Sequence, residues 1–531
     1  MNLRLIAHLV ALSFVGAGGI FAAEKPNIVV IMADDMGYSD LGCYGGEIKT
    51  PVLDQMASNG LRFRRFYNAA RCCPTRASLL SGLYPQQAGI GAMVGDLGYP
   101  GYQGHLSRNC VTLAEVLKGA GYQTLICGKW HVSRNPYAGK RELMDPEGWP
   151  LQRGFDRFYG TLAGGGNYYR PVSLARDNEL LDMPEGDYYY TNAISTEAAK
   201  YIKDSDKEKP LFLYFTPTAP HWPLHAPDDE IEPYMETYRV GWDAIRQQRH
   251  QRMIELGVLN ANCPLSERSK GIVPWSQAKD KEWEARRMAT HAAMVTIMDR
   301  SIGQIIEALK KTGRYENTMI LFLSDNGASA EVIRGKSNRH GNFARGGTTP
   351  DVMPGPADTY SSFGRSWANA SNTPFRYYKK DTYAGGACSP LIIHWPAGIS
   401  APGEWRDQQS HIIDIMPTVV KLSGATYPHE RAGQPVKSMA GKSLLASFDD
   451  NQQAERPIFF EHMGNRGVRM GRWALLSARK NPWSLYDISV DRTESVDLAK
   501  SYPEKVEEME SLYETWAEQS DVLPWPPGAK R

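Results

Sequence analysis

Four short apolar runs in this chain each lead into residues able to handle ions and protons. Asn27 to Ala33 runs into Asp34-Asp35, and Met319 to Leu323 into Ser324-Asp325-Asn326-Gly327. Thr124 to Cys127 leads to Gly128-Lys129-Trp130-His131, and Leu211 to Phe215 leads through Thr216-Pro217-Thr218-Ala219-Pro220 to His221. Asp34, Asp35, Asp325 and Asn326 offer only oxygen donors, a set that suits Ca2+ or Mg2+, whereas zinc usually takes His or Cys as well. Three carboxylates packed together repel strongly without a cation. Turn capping explains either acidic pair alone but not both at one place. A fifth segment reads Arg71-Cys72-Cys73-Pro74-Thr75-Arg76. Proline suits the first turn of a helix, so a helix is predicted to start near Pro74 with Cys72 at its N-terminus, where free N–H groups favour anions. A lone cysteine is more often a buried thiol; the pattern around Cys72 argues otherwise.

These residues work together only if the fold gathers them. The apolar runs, with Leu391 to His394, read as buried strands of a parallel sheet. Thr112 to Ala120 predicts a helix closed at Gly121. Glu284 to Lys311 predicts a longer one, with Met288, Ala292, Val295, Met298, Ile302, Ile306 and Leu309 three or four apart and Gly313 as its stop. Strand and helix alternate, so the class is α/β: a mostly parallel mixed sheet flanked by helices. The carboxyl ends of parallel strands share one edge, where ligands bind, so Asp34, Asp35, Lys129, His131, His221, Asp325 and Asn326 are expected to converge. After Ala425 the texture changes. Pro457 to Glu461, Gly467 to Met470, Trp473 to Leu476 and Ser484 to Asp487 predict a small antiparallel sheet, and Val506 to Gln519 a closing helix. The expected division is residues 24–440 and 441–531.

Composition narrows the class further. Hydrophobic residues at 42% and charged residues at 22% exclude a disordered, collagen-like or polytopic membrane chain. Lys plus Arg of 60 against Asp plus Glu of 59 argues against a nucleic-acid partner held by bulk positive charge. Arg4, the apolar Leu5 to Phe14 and the small residues up to Ala22-Ala23 predict a secretory signal peptide over residues 1–23. No later stretch of about 18 apolar residues follows, so a soluble secreted or periplasmic protein without a stable membrane span is expected. Seven cysteines, at 43, 72, 73, 110, 127, 263 and 388, leave at least one thiol over, and no pair has zinc-finger spacing.

Taken together, the motifs resemble those of the type I sulfatases. Cys72-Cys73-Pro74-Thr75-Arg76 matches that family's C-x-P-S/T-R signature and continues as Ala77-Ser78-Leu79-Leu80-Ser81-Gly82. Pro26 to Asp40 is similar to the family's opening strand. Gly128 to His131 matches G-K-W-H, Ala219-Pro220-His221-Trp222-Pro223 matches A-P-H-x-P, and Ser324 to Gly327 matches S-D-N-G. Asn372 to Lys379 resembles the segment supplying a late sulfate-binding lysine, and Leu485-Tyr486-Asp487 resembles the L-Y-D of the small domain. One block departs: where the family often has E-G-G, this chain has Ala384-Gly385-Gly386, with Cys388 at a usually basic position.

The resemblance implies an alkaline-phosphatase-like fold and a formylglycine (3-oxoalanine) made from Cys72 by a formylglycine-generating or equivalent sulfatase-maturing enzyme. It implies that Asp34, Asp35, Asp325, Asn326 and the modified Cys72 hold a cation, expected to be a single Ca2+. Arg76 would hold the aldehyde side chain. Lys129, Lys379 and His221 would surround the sulfate, with His221 as general acid, and His131 would remove a proton from the formylglycine hydrate so that sulfate departs. Two alternatives stand beside this. One is a phosphate or phosphonate ester hydrolase of the same superfamily, disfavoured by Asp325-Asn326 in place of an Asp-His pair. The other is a non-catalytic binder of sulfated glycans, should Cys72 stay unmodified. The expected substrate is a sulfated carbohydrate, with aryl sulfates as surrogates. Arg71, His105, Glu331 and His462 are the candidates for choosing it.

Overall fold

The computed structural model describes residues 25–134, 144, 146–336, 341, 343–451, 455–479 and 481–528; the expected signal peptide lies outside them. The large sheet contains β1 (Asn27–Ala33), β2 (Leu61–Tyr67), β3 (Gln123–Lys129), β4 (Arg157–Thr161), β5 (Leu174–Arg176), β6 (Glu179–Leu180), β7 (Leu211–Thr216), β8 (Thr318–Ser324) and β9 (Cys388–His394). Their order is β2-β9-β8-β1-β7-β3-β4-β5-β6, with short strands Trp405–Arg406 and Ser410–His411 beside β2. β8, β1, β7, β3 and β4 run parallel. The registers pair Ala33 with Ser324 and Gly128 with Thr216, so four strands stop together.

Burial on both faces explains the unbroken apolar runs. Val29 and Ile31 of β1 join the core on one side, and Ile28, Val30 and Met32 join the core on the other. The first core holds α4 (Lys281–Lys311) against α3 (Tyr190–Asp204). The stripe from Met288 to Leu309 is buried there as its spacing predicts, and the helix begins three residues before Glu284. The second core holds α1 (Cys72–Ser81) and α2 (Leu113–Gly119). Thr112 and Glu115 cap α2 reciprocally, at 3.1 Å and 2.7 Å. Thr112→Ala should cost about 1 kcal/mol of stability, read from the urea midpoint at unchanged m-value.

One expectation is corrected. Leu391 to His394 lies in β9, which is antiparallel to both β8 and β2. A buried central strand reads as a continuous apolar run whichever way it points, so the pattern carries no direction. The reversal has a use. An antiparallel strand starts where its neighbours end, so the segment entering β9, which carries Lys379, meets the edge where the parallel strands stop.

The small sheet is β10 (Ile458–His462), β11 (Asn465–Met470), β12 (Trp473–Ser477) and β13 (Ser484–Asp487), antiparallel throughout. Helix α5 (Pro503–Gln519) packs on it. Trp516 of α5 stacks on Phe459 and meets Tyr84, just beyond α1, edge-on at 4.9 Å. All seven cysteines are buried and free. No helix among the described residues is long and apolar enough to cross a membrane.

Candidate active site

The shared strand edge gathers the acids and bases into one buried cluster. Asp34 and Asp325 are fully buried and Asp35 is 2% exposed. Asp325 Oδ1 accepts from Asp35 N at 3.2 Å and its Oδ2 from Arg76 Nη2 at 3.0 Å. Arg76 Nη1 also donates to Lys129 O at 3.1 Å, tying α1 to the end of β3. Lys129 Nζ pairs with Asp34, and Lys379 Nζ lies 2.7 Å from Asp35 Oδ1. Asn326 Nδ2 donates to Asp35 Oδ1 at 2.7 Å, and His221 Nε2 lies 3.5 Å from Asp35 Oδ2.

The electrostatics follow from this packing. Burial alone would raise the Asp34 carboxyl, but Lys129, His221 and Arg76 outweigh it and hold it below the usual carboxylate range. Asp325 goes the other way: burial, then the negative charge of Asp34, raise it well above its ordinary value. The Cys72 thiol is lowered, first by a hydrogen bond from Cys73 and then, against burial, by Lys129, His131 and Lys379. Burial pushes His131 down to about 4 despite the negative charge of Cys72 beside it. Asp35 and His131 sit at φ 63° and 55°, conformations that non-glycine residues keep only under constraint.

Two glycines make room for the histidine rings. A Cβ on Gly164 would lie 2.1 Å from His131 Cε1, and one on Gly165 would lie 3.0 Å from His221 Cε1. Gly164→Ala must therefore displace His131. Misplacement of about 1 Å can cost a hundredfold, and a loss of that order in kcat/KM with an unchanged circular dichroism spectrum is expected.

Of the four substrate-choosing candidates, two meet at the mouth of this cluster. Arg71, which precedes α1, is 3.4 Å from Glu331. Glu331 also pairs with Lys380, accepts from Trp222 Nε1 at 3.0 Å and lies 4.0 Å from Lys379. His462 is fully buried rather than at the surface; burial, with Arg71 adding, pushes it down to about 3, so it is neutral. His105 instead lines a groove of about 1540 Å³ with Asp96, Arg134, Glu147 and Arg431. At the departing block a carboxylate comes from elsewhere: Ala384 N donates to Glu494 Oε2 at 2.8 Å, and Glu494 pairs with buried Arg469.

The sulfatase family profile matches residues 26–425. The chain belongs to the sulfatase family. It is 35% identical to an arylsulfatase of Klebsiella aerogenes, over 84% of this chain and 97% of that one. It is 28% identical to human N-acetylgalactosamine-6-sulfatase, over 84% and 70%. Ps i-CgsB, solved in complex with k-i-k-neocarrahexaose, superposes with a TM-score of 0.67 at 25% identity, over 94% of this chain and 95% of that chain. This sulfatase is accordingly a sulfuric ester hydrolase, with the large mixed sheet and separate small sheet of the alkaline-phosphatase-like fold.

The donor chemistry of the sulfatase site fits a hard cation. Asp34, Asp35 and His221 each offer a ligand atom within 4.8 Å of the others. Asp325 is joined to them through Asp35 N and Arg76 rather than standing in that tightest group. Asp34 Oδ1 and Asn326 Oδ1 are buried oxygens without a hydrogen-bond partner among the described residues, and such atoms call for a ligand. Sequence reasoning missed Trp222, Lys380, Gly164 and Gly165. The run Gly164-Gly165-Gly166 was a visible signal for close approach; nothing in the sequence joins Trp222 and Lys380 to Glu331.

Proposed function

We propose that this sulfatase is exported, takes its nucleophile from Cys72 as formylglycine, holds one Ca2+, and acts on sulfated carbohydrates. The observation that carries the reading is the placing of Cys72. It begins α1 with 2% exposure, among Lys129, His131 and Lys379, beside an oxygen-rich carboxylate cluster. A cation-lined thiol at a helix start is a place for an anion to be attacked.

Asp34, Asp35, Asp325 and Asn326 are the residues that would hold the cation. When bound, Ca2+ supplies a Lewis acid that neutralises sulfate oxygens and steadies the nucleophile. Formylglycine supplies two hydroxyls on one carbon, so that sulfate can leave by restoring an aldehyde. Lys129 and Lys379, paired with Asp34 and Asp35, bring positive charge to the sulfate oxygens. His221 Nδ1 faces Trp222 O at 2.5 Å. A carbonyl only accepts, so Nδ1 carries a proton and Nε2 is the atom that exchanges one with the leaving oxygen. His131, neutral at pH 7 and beside Cys72, is placed to take a proton from the modified side chain.

The carbohydrate reading draws support from the N-acetylgalactosamine-6-sulfatase relative and from the neocarrahexaose bound by Ps i-CgsB. A sulfate-release screen over sulfated saccharides and aryl sulfates tests it. Efficient turnover of at least one sulfated saccharide is expected; turnover confined to aryl or alkyl sulfates would refute it. Export and maturation have their own readout, a mature N-terminus close after Ala22 or Ala23 on protein made with a sulfatase-maturing enzyme.

A further inference from the structure

The mouth of the pocket carries a charge imbalance that its base lacks. At the base three cations face three carboxylates: Lys129 pairs most closely with Asp34, Arg76 with Asp325 and Lys379 with Asp35. At the mouth Glu331 alone faces both Arg71, 3.4 Å away, and Lys380. Its other oxygen accepts from Trp222 Nε1 at 3.0 Å and Ser329 Oγ at 3.4 Å. A carboxylate has about four acceptor positions, so Glu331 is used up in holding the mouth together. It has no acceptor position left over for a substrate hydroxyl. Arg71 and Lys380 each give a hydrogen bond to Glu331, and guanidinium and ammonium groups have further donors.

Arg71 also feels Asp35, but that carboxylate is already paired with Lys379. Half-buried Asp381, next in sequence to Lys380, faces Arg479 and Arg365. Lys380 is also fixed in place. Its N–H donates to Ala70 O at 2.7 Å, its O accepts from Asn465 Nδ2 at 3.0 Å, and its φ is 86°. That backbone conformation persists only where the surroundings impose it. The base is closed, while the Lys380 side chain is 40% exposed, that of Glu331 25% and that of Arg71 12%. Exposure thus rises from the buried cluster through Arg71 and Glu331 to Lys380, which places these three on its solvent side.

We infer that the preferred leaving group carries a second negative charge, a carboxylate or a further sulfate, bound by Arg71 and Lys380 at the pocket mouth. This rests on the sulfate-ester chemistry proposed above and names the substrate class within it. Trp222, held by Glu331, forms the adjoining wall.

The test uses formylglycine-bearing enzyme and matched substrate pairs. They are hexose monosulfates against hexuronates sulfated at the same position, hexose monosulfates against disulfates, and phenyl sulfate against 4-carboxyphenyl sulfate. In at least one pair the dianion should have a kcat/KM about tenfold higher, with the advantage shrinking as salt is raised. Lys380→Gln and Arg71→Gln should each reduce that preference several-fold. The carboxylate and disulfate arms tell the two anions apart. Equal or lower kcat/KM for every dianion, with the monosulfates turned over, overturns the inference. No sulfate release from any substrate overturns the underlying chemistry instead. Should Arg71→Gln disturb the start of α1, the half-exposed Lys380→Gln and the wild-type salt dependence decide the matter.

Discussion

Asp325→Asn should remove bound calcium and lower sulfate release by about a thousandfold or more, the scale on which preorganised electrostatics acts. The residue is fully buried at the end of β8 and joins three parts of the site. It accepts from Asp35 N and from Arg76, and it shares the charge of Arg76 with Asp34, 3.8 Å from Nη2. The amide keeps the shape and an acceptor but loses the charge, so the fold should persist. Asp325→Ala is harsher. It leaves the buried Arg76 guanidinium with only its longer contact to Asp34, and breaking a buried pair costs about 3–5 kcal/mol. Both variants should be inactive, and only the alanine should show a large drop in Tm. Metal analysis on the wild type is the companion measurement: about one Ca2+ per chain is expected from the oxygen donor set, and stoichiometric zinc without calcium would overturn the assignment.

Cys72→Ser should stop after one turnover. A serine hydroxyl at the start of α1 would be flanked by the same Lys129, His131 and Lys379, so attack on the sulfate ester remains open to it. The hydroxyl proton passes to His131, the new oxygen–sulfur bond forms, the bond to the leaving oxygen breaks, and that oxygen takes a proton from solvent or from Nε2 of His221 when its ring is an imidazolium. The product is a sulfate ester on a plain CH2, which has no second hydroxyl from which an aldehyde can be regenerated. Single-turnover assays should show at most one equivalent of alcohol or phenol released, no free sulfate, and a protein about 80 Da heavier, the signature of a trapped covalent intermediate. Steady release of sulfate by this variant would mean that the two-hydroxyl chemistry is not required.

Much of the site was legible because a parallel sheet converts sequence position into spatial position. Asp34, Lys129, His221 and Asp325 are far apart in the chain, yet each follows an apolar run, and the registers of β1, β3, β7 and β8 align those ends. What was lost is what such runs do not encode. β9 has the composition of a parallel strand and the direction of an antiparallel one. β2 carries Arg62, Arg64 and Arg65, which interrupt its apolar pattern and hide its strand character. His105 and His462 show the limit for rim residues. A histidine near a motif in sequence can lie in a wide groove or be buried neutral behind the site. Lys380 became visible only through Glu331, because the carboxylate comes from the loop after β8 and the lysine from the approach to β9.

The mass of the tryptic peptide carrying Cys72, from protein that releases sulfate, tests the central claim most directly. Conversion of cysteine to formylglycine removes about 18 Da. The account predicts that the lighter peptide dominates in active preparations, and that specific activity rises in proportion to its fraction as co-expression of a maturing enzyme is varied. Full sulfate release by protein whose Cys72 peptide retains the mass of unmodified cysteine would contradict it.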